Sequence, residues 1–302
     1  MHVGLGLPVA GAWASPDRLA HVATRAEQLG YHSLWTFQRL FVPVDPQPEP
    51  VYRSVLDPLI ALTYAAARTT RIRLGVAIVN LPFLPPVYLA KQAASLDVLS
   101  GGRLDLGLGS GWSEPEFIAS GADMARRGPR TAEYVQVLRV LWSGSGAPHH
   151  GEFYRLPEGY QHPLPVQRPG PPILLGGSAP AALRRAGRLA DGWISRSKAN
   201  LAEIGDSVAI VRAAAAEAGR DPDAVRVVSR GPVRAGDALP EAGRAPLTGS
   251  YAQIRADVDR LAEAGVTEVF HDLNWDPLIG APDADPRTAA RRADEIIDAL
   301  AP

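Results

Sequence analysis

The feature that most constrains this chain is an alternation of strand and helix that runs along its whole length. HVGLGLP, His2 to Pro8, reads as a short apolar strand. Ser15, Pro16 and Asp17 then supply an N-cap, a proline for the first turn and an acid near the positive end of a helix. Leu19, Val22, Ala23, Ala26 and Leu29 recur at helical spacing, Gly30 is placed to stop the helix, and YHSLW follows as a second strand. The pattern continues with helix Val55 to Arg68, strand Ile72 to Leu81, helix Pro85 to Leu99, strand Arg103 to Gly109 and helix Arg130 to Trp142. It goes on with strand Pro172 to Leu175, helix Ala181 to Leu189, strand Gly192 to Ser195 and a helix ending near Gly219. Strand Val225 to Ser229, helix Ser250 to Ala264, strand Glu268 to Leu273 and a helix opened by Asp285 and Pro286 complete it. Eight such pairs without a break in composition predict a single (β/α)8 TIM barrel over residues 1–302, because parallel strands need helical crossovers and close at eight. A doubly wound open sheet is the alternative.

Composition narrows the partners. With 46% hydrophobic and 21% charged residues the chain can fill one large core. Lys plus Arg number 31 and Asp plus Glu 32, so a net charge of -1 supplies no broad field for nucleic acid or an acidic membrane, and a small-molecule partner is expected. There is no cysteine, hence no disulfide and no thiolate metal site. MHVGLGLPVAG has no basic region before an apolar run, and no stretch of roughly 18 apolar residues occurs, so the expectation is a cytoplasmic protein. Three segments exceed ordinary loops: Phe37 to Arg53, Ser143 to Gly170 and Gly231 to Gly249. The first and third follow strands and belong at the C-terminal face of a barrel, where active sites are built. The second follows a helix, so it begins at the opposite face.

Strand four ends as LDLGLGSGWSEPEF, with Leu104, Leu106 and Leu108 alternating against Asp105, Gly107 and Gly109. Gly107, Gly109 and Gly111 imitate a dinucleotide fingerprint, but Trp112 stands where the last glycine belongs, and three strand and helix units come before it. Either these glycines relieve crowding, or Gly109, Ser110 and Gly111 let the backbone approach a flat ring or a phosphate; the place at a C-terminal strand end favours the second. Gly176 and Gly177 end strand five and Ser178 with Pro180 opens a helix, which makes an anion pocket or simply an N-capped helix. Ser195, Arg196, Ser197 and Lys198, after strand six, suit a phosphate or an acidic tail, or form a solvated loop. His149 and His150 have no third ligand at suitable spacing, so no metal site is expected.

LSGGRLDLGLGSGWSEPEF, RGPRTAEYVQVLRVLW with HGEFY, and PPILLGGSAPAALRRAGRLADGW together resemble the luciferase-like monooxygenase superfamily, which uses flavin or the deazaflavin coenzyme F420. The likeness is strong from residue 2 to about residue 200 and loose beyond. It implies a TIM barrel with the cofactor ring in the mouth, its phosphate near strands four to six, insertion loops as substrate walls, and commonly a homodimer. It also implies a non-prolyl cis peptide in strand three, which LGVAIVNLP places at Ala77 to Ile78, behind the ring. Asn80 is then a strand-end polar group or a cofactor ligand. Where many relatives carry an acid followed by His at the end of strand two, this chain has Gln38 and Arg39; where some deazaflavin relatives carry Glu after the turn of strand four, it has Trp112.

The usual proton donors are therefore missing. Arg39, which ends the strand-like stretch SLWTFQRL, has a pKa above roughly 12, yet it can stabilise developing negative charge, with Gln38 holding its plane. His271, near the end of strand eight, is a proton donor if it faces the mouth, and a packing residue if it does not. The expected activity is F420-dependent hydride transfer to an activated C=C or C=N bond of a small organic substrate. An FMNH2-dependent monooxygenase is the near alternative, and a barrel that binds flavin without turnover is an alternative of another class.

Overall fold

Eight parallel strands close into a barrel in the computed structural model, which describes residues 1–302. In chain order they are β1 (His2–Gly6), β2 (Ser33–Thr36), β3 (Arg73–Asn80), β4 (Leu104–Gly109), β5 (Ile173–Gly176), β6 (Gly192–Ile194), β7 (Arg226–Pro232) and β8 (Glu268–Asp272). Each pairs with the next, and β8 returns to β1 with Glu268 opposite His2, which excludes the open sheet. The crossovers are α1 (Pro16–Leu29), α2 (Pro58–Ala66), α3 (Pro86–Ser100), α4 (Arg127–Ser143), α5 (Pro180–Leu189), α6 (Ile204–Glu217), α7 (Tyr251–Glu263) and α8 (Pro286–Ala299). None is long and apolar enough to cross a membrane.

Local chemistry sets most of these ends. The Ser15 side chain accepts the Arg18 amide at the start of α1, and Gly30 closes the helix at φ 88°. Ser250 and Gln253 form a reciprocal capping box on α7. α2 starts at Pro58 instead of Val55, because Asp57 accepts the amides of Leu59 and Ile60. α4 starts at Arg127, and a separate short helix, Glu114–Ser120, precedes it. The long segment before β5 holds a hairpin, His149–His150 with Arg155–Leu156. Glu133 of α4 braces this hairpin by accepting the amides of Glu152, Phe153 and Tyr154 at 2.7–3.1 Å. His149 Nε2 lies 3.3 Å from the same carboxylate, so the histidine serves the hairpin.

The barrel interior is stacked in layers. At the N-terminal end Asp105 receives both Arg73 and Arg226, and Arg226 reaches on to Glu268 at 3.1 Å. Burial would push Asp105 up, but the two guanidinium groups outweigh it and hold its carboxyl below the usual range. Above these ions sits an apolar plug in which Trp35 stacks on Phe270, ring centroids 5.1 Å apart, with Leu174, Val228 and Ile194. Trp35 fits because β3 offers Gly75 there: a Cβ would come within 2.4 Å of its ring. The outward-facing Leu and Val residues of the strands pack under the helices in a second, larger core. Only the upper layer is left for a ligand.

Candidate active site

The C-terminal ends of the strands enclose a cavity of about 120 Å³. Gln38, Arg39, Ala77, Ile78, Asn80, Gly176 and Gly177, all expected at the site, line it together. The Ala77–Ile78 peptide is cis, and β3 shifts register against β4 between Val76 and Val79. The Ile78 side chain occupies the space beside β4, since a Cβ on Gly109 would lie 1.8 Å from its Cδ1. Gly109 thus makes room for Ile78. Neither it, nor Ser110, nor Gly111 lines the cavity, and Gly111 lies under the Phe117 ring. Of the two readings of these glycines, the contacts of Gly109 support the relief of crowding.

Gly177 has φ +136°, a conformation that side chains rarely adopt, and a Cβ there would meet that of Ala182 at 2.6 Å. Its carbonyl accepts Trp193 Nε1 at 2.8 Å. Ser178 does not cap α5: Pro180 occupies the first turn, so the cap position falls on Ala179, which has no acceptor side chain. Ser178 itself is exposed and outside the cavity lining. Ser195 Oγ accepts the Arg230 amide at 2.9 Å, Lys198 pairs with Glu49, and Arg196 lines the cavity with an exposed side chain.

Arg39 lies on the loop that leaves β2, three residues past its end, and is held there by several partners. Arg39 Nη1 donates to Glu116 Oε2 at 2.9 Å, and the guanidinium is sandwiched between the rings of Tyr52 at 4.3 Å and Trp112 at 4.7 Å. The other Glu116 oxygen accepts the Leu40 amide at 2.7 Å. Arg39 is 7% exposed and Glu116 1%, so the pair is buried. Gln38 does not hold the plane of Arg39; its Oε1 accepts the Asn80 amide at 2.9 Å and ties β2 to β3. Asn80 Oδ1 is buried and has no partner.

Of the two roles expected for His271, it takes that of a packing residue. Its neighbours Phe270 and Asp272 point inward, to Trp35 and Arg230, so the alternation of β8 turns His271 toward the helices. There it meets the Tyr31 ring edge-on at 6.5 Å with both ring nitrogens unpartnered, and burial pushes its pKa down to about 4. It cannot reach the mouth.

Two groups escaped the sequence reading. Glu116 sits on the short helix after β4, where SEPEF looks like loop. Arg230 of β7 donates through Nε to Asp272 Oδ2 at 2.7 Å and lies 4.3 Å over the Phe37 ring. A signal for Arg230 was present: Arg226, Val228 and Arg230 alternate on β7 as Glu268, Phe270 and Asp272 do on β8, giving paired charges at both ends and an apolar middle. Three guanidinium groups, Arg39, Arg196 and Arg230, therefore line the cavity, with no imidazole or carboxylate. A larger chamber, about 600 Å³, adjoins at Ser197 and is walled by Lys198, Arg234 and Trp275. No group of three or more His, Asp or Glu is arranged to hold a metal ion.

The chain has relatives among known proteins. An uncharacterized protein of Mycobacterium tuberculosis is 33% identical over 233 residues, 73% of this chain and 80% of that one. The FMNH2-dependent dimethylsulfone monooxygenase of Pseudomonas putida is 35% identical over 156 residues, 51% of this chain and 42% of that one. Among solved structures, the coenzyme F420-dependent tetrahydromethanopterin reductase from Methanopyrus kandleri superposes with a TM-score of 0.77 at 19% identity, covering 100% of this chain and 98% of that one. That last likeness concerns the fold. The profile of the luciferase-like monooxygenase family matches residues 2–266, and the chain belongs to that family of flavin- and F420-dependent oxidoreductases.

Proposed function

We propose that the protein is an oxidoreductase that works with reduced coenzyme F420 and reduces an activated C=C or C=N bond of a small organic substrate. The observation that carries this reading is the donor set of the mouth: the guanidinium groups of Arg39 and Arg230, each fixed by a buried carboxylate, and that of Arg196, which has no ion pair, all line it. A deazaflavin bears a phosphate and an acidic tail, and Arg196 with Lys198 stands where such a tail would leave the barrel. The residues present suit a flat heterocycle, since buried Asn80 Oδ1 lacks a partner, Arg230 keeps N–H bonds beyond those it spends on Asp272 and Ala77, and Gly176 and Gly177 carry no side chain into the cavity. When bound, the deazaflavin would supply a hydride, as a two-electron carrier. The protein's part is positioning and electrostatics: Ala77 and Ile78 back the ring, Gly177 admits the phosphate, and Arg39 orients a carbonyl-bearing or anionic substrate and steadies charge that grows on it.

The second reading, an FMNH2-dependent monooxygenase, draws on the 35% identity to the dimethylsulfone enzyme over about half of this chain. Titration of the apoprotein with F420 and with FMN separates the two. We expect tight F420 binding and turnover of its reduced form by enones or imines without oxygen consumption. Tight FMN binding without F420 binding overturns the reading. Binding without turnover across a wide panel of acceptors favours the non-catalytic alternative.

A further inference from the structure

We propose that Arg230 binds the electron-rich carbonyl edge of the reduced cofactor ring and stabilises its negative charge. The inference rests on the cofactor reading above and holds for flavin and deazaflavin alike, because both rings end in the same pair of carbonyls flanking ring nitrogens. Reduction places negative charge at that end, and a preorganised cation there favours the reduced form.

Four features single out this arginine. It projects from β7 toward the cis bulge of β3, with Nη1 3.4 Å from the Ala77 carbonyl oxygen. It is held rigidly: Asp272 Oδ2 takes Nε at 2.7 Å, and the Phe37 and Trp275 rings lie 4.3 and 5.7 Å from the guanidinium carbon. It keeps unmatched donors. Of its five N–H bonds, Nε donates to Asp272, Nη1 to the Ala77 carbonyl, and Nη2 is in a 2.6 Å ion contact with the same Asp272 oxygen, which leaves one hydrogen on each terminal nitrogen to spend. The other Asp272 oxygen is held by the Asn274 amide at 3.1 Å and by Asn274 Nδ2 at 2.8 Å. Finally, Arg230 is 5% exposed, so a free N–H there finds little water. A buried donor without an acceptor is costly, and a ligand oxygen in the cavity would remove that cost. Arg39 differs in place, since it is clamped between the Tyr52 and Trp112 rings and Glu116 and makes no contact with the Ala77 carbonyl, and Arg196 is exposed.

The test compares wild type, Arg230→Lys and Arg230→Gln, each titrated anaerobically with oxidised and reduced F420 and FMN while ring absorbance and fluorescence are followed. Arg230→Gln should weaken binding of the reduced ring about tenfold to a hundredfold more than that of the oxidised ring, a fall of about 30 to 60 mV in the bound couple. Arg230→Lys should recover only part, having the charge without the planar fork. Because Arg230→Gln leaves Asp272 buried without its counter-ion, the double variant Arg230→Gln/Asp272→Asn must show the same differential loss. Equal losses in both oxidation states, or none, in folded variants overturn the assignment. A raised KM for the hydride acceptor with unchanged reduced-ring affinity moves the contact to the substrate and overturns it as well. If wild type binds neither cofactor, the functional reading itself falls; if wild type binds and the variants match it, only Arg230 falls.

Discussion

An arginine three residues beyond a core strand and nearly out of solvent looks anomalous until its partners are counted. Arg39 is enclosed by Tyr52 of its own loop and by Trp112 and Glu116, which lie more than 70 positions further along the chain. Such a fixed guanidinium can hold a substrate oxygen in register, and removing one preorganised donor typically costs about 100- to 1000-fold in turnover. Single-turnover oxidation of bound reduced cofactor should therefore slow by that order in Arg39→Ala and recover little in Arg39→Lys. Comparable rates in all three proteins would leave Arg39 a structural role only. His271 makes a different prediction. Burial lowers its folded pKa to about 4 from the ordinary 6.5, so the unfolded chain binds the extra proton first. Its stabilising contribution is complete above the unfolded value and is lost as pH falls from 6.5 toward 4, by roughly 3 kcal/mol at the lower end. His271→Leu abandons no hydrogen bond, since neither ring nitrogen has a partner. Urea midpoints measured from pH 7 to pH 4 should fall less steeply in this variant, and a parallel fall would refute the assignment.

At the scale of elements, strand and helix alternation was legible because each element carries its own period and caps. The additions were not. The helix Glu114–Ser120 is seven residues long and is held by what Glu116 touches, not by its own periodicity. The hairpin at His149–His150 and Arg155–Leu156 has only two residues in each strand and depends on Glu133, which its sequence does not contain. Burial raises the Glu133 carboxyl, but the amides of Phe153 and Tyr154, with His149, outweigh this and hold it below the usual range. Glu133→Ala should cost about 2 to 4 kcal/mol, since several amides lose their acceptor. Denaturant unfolding checks the magnitude, and hydrogen exchange should speed up first at residues 152–154. Unchanged protection there would mean that the hairpin stands without Glu133.

For the whole molecule, the homodimer implied by the family likeness has a candidate face. Ile60 on α2 and Tyr88 and Leu99 on α3 are 71%, 62% and 69% exposed and border one shallow groove. We propose that a second copy of the chain covers it, because three large apolar side chains grouped on one helix pair are unusual on a free surface. Sedimentation should give twice the chain mass for wild type and a monomer for Ile60→Glu/Leu99→Glu. A monomeric wild type would sink the idea.

The sequence by itself determined the barrel, since eight repeats of strand and crossover helix admit little else, and it marked the ends of β2, β3 and β5, which line the cavity. It also held the alternation that aims Asp105 inward. Tertiary structure alone decided which polar groups meet. Arg39 and Glu116 are 77 positions apart, and Arg230 and Asp272 are 42 apart. Their contact follows from strand register and barrel closure, and neither is written in the local spacing of residues. His271 shows the same dependence in reverse: a one-residue difference in facing turned an expected acid of the mouth into a packing residue behind it.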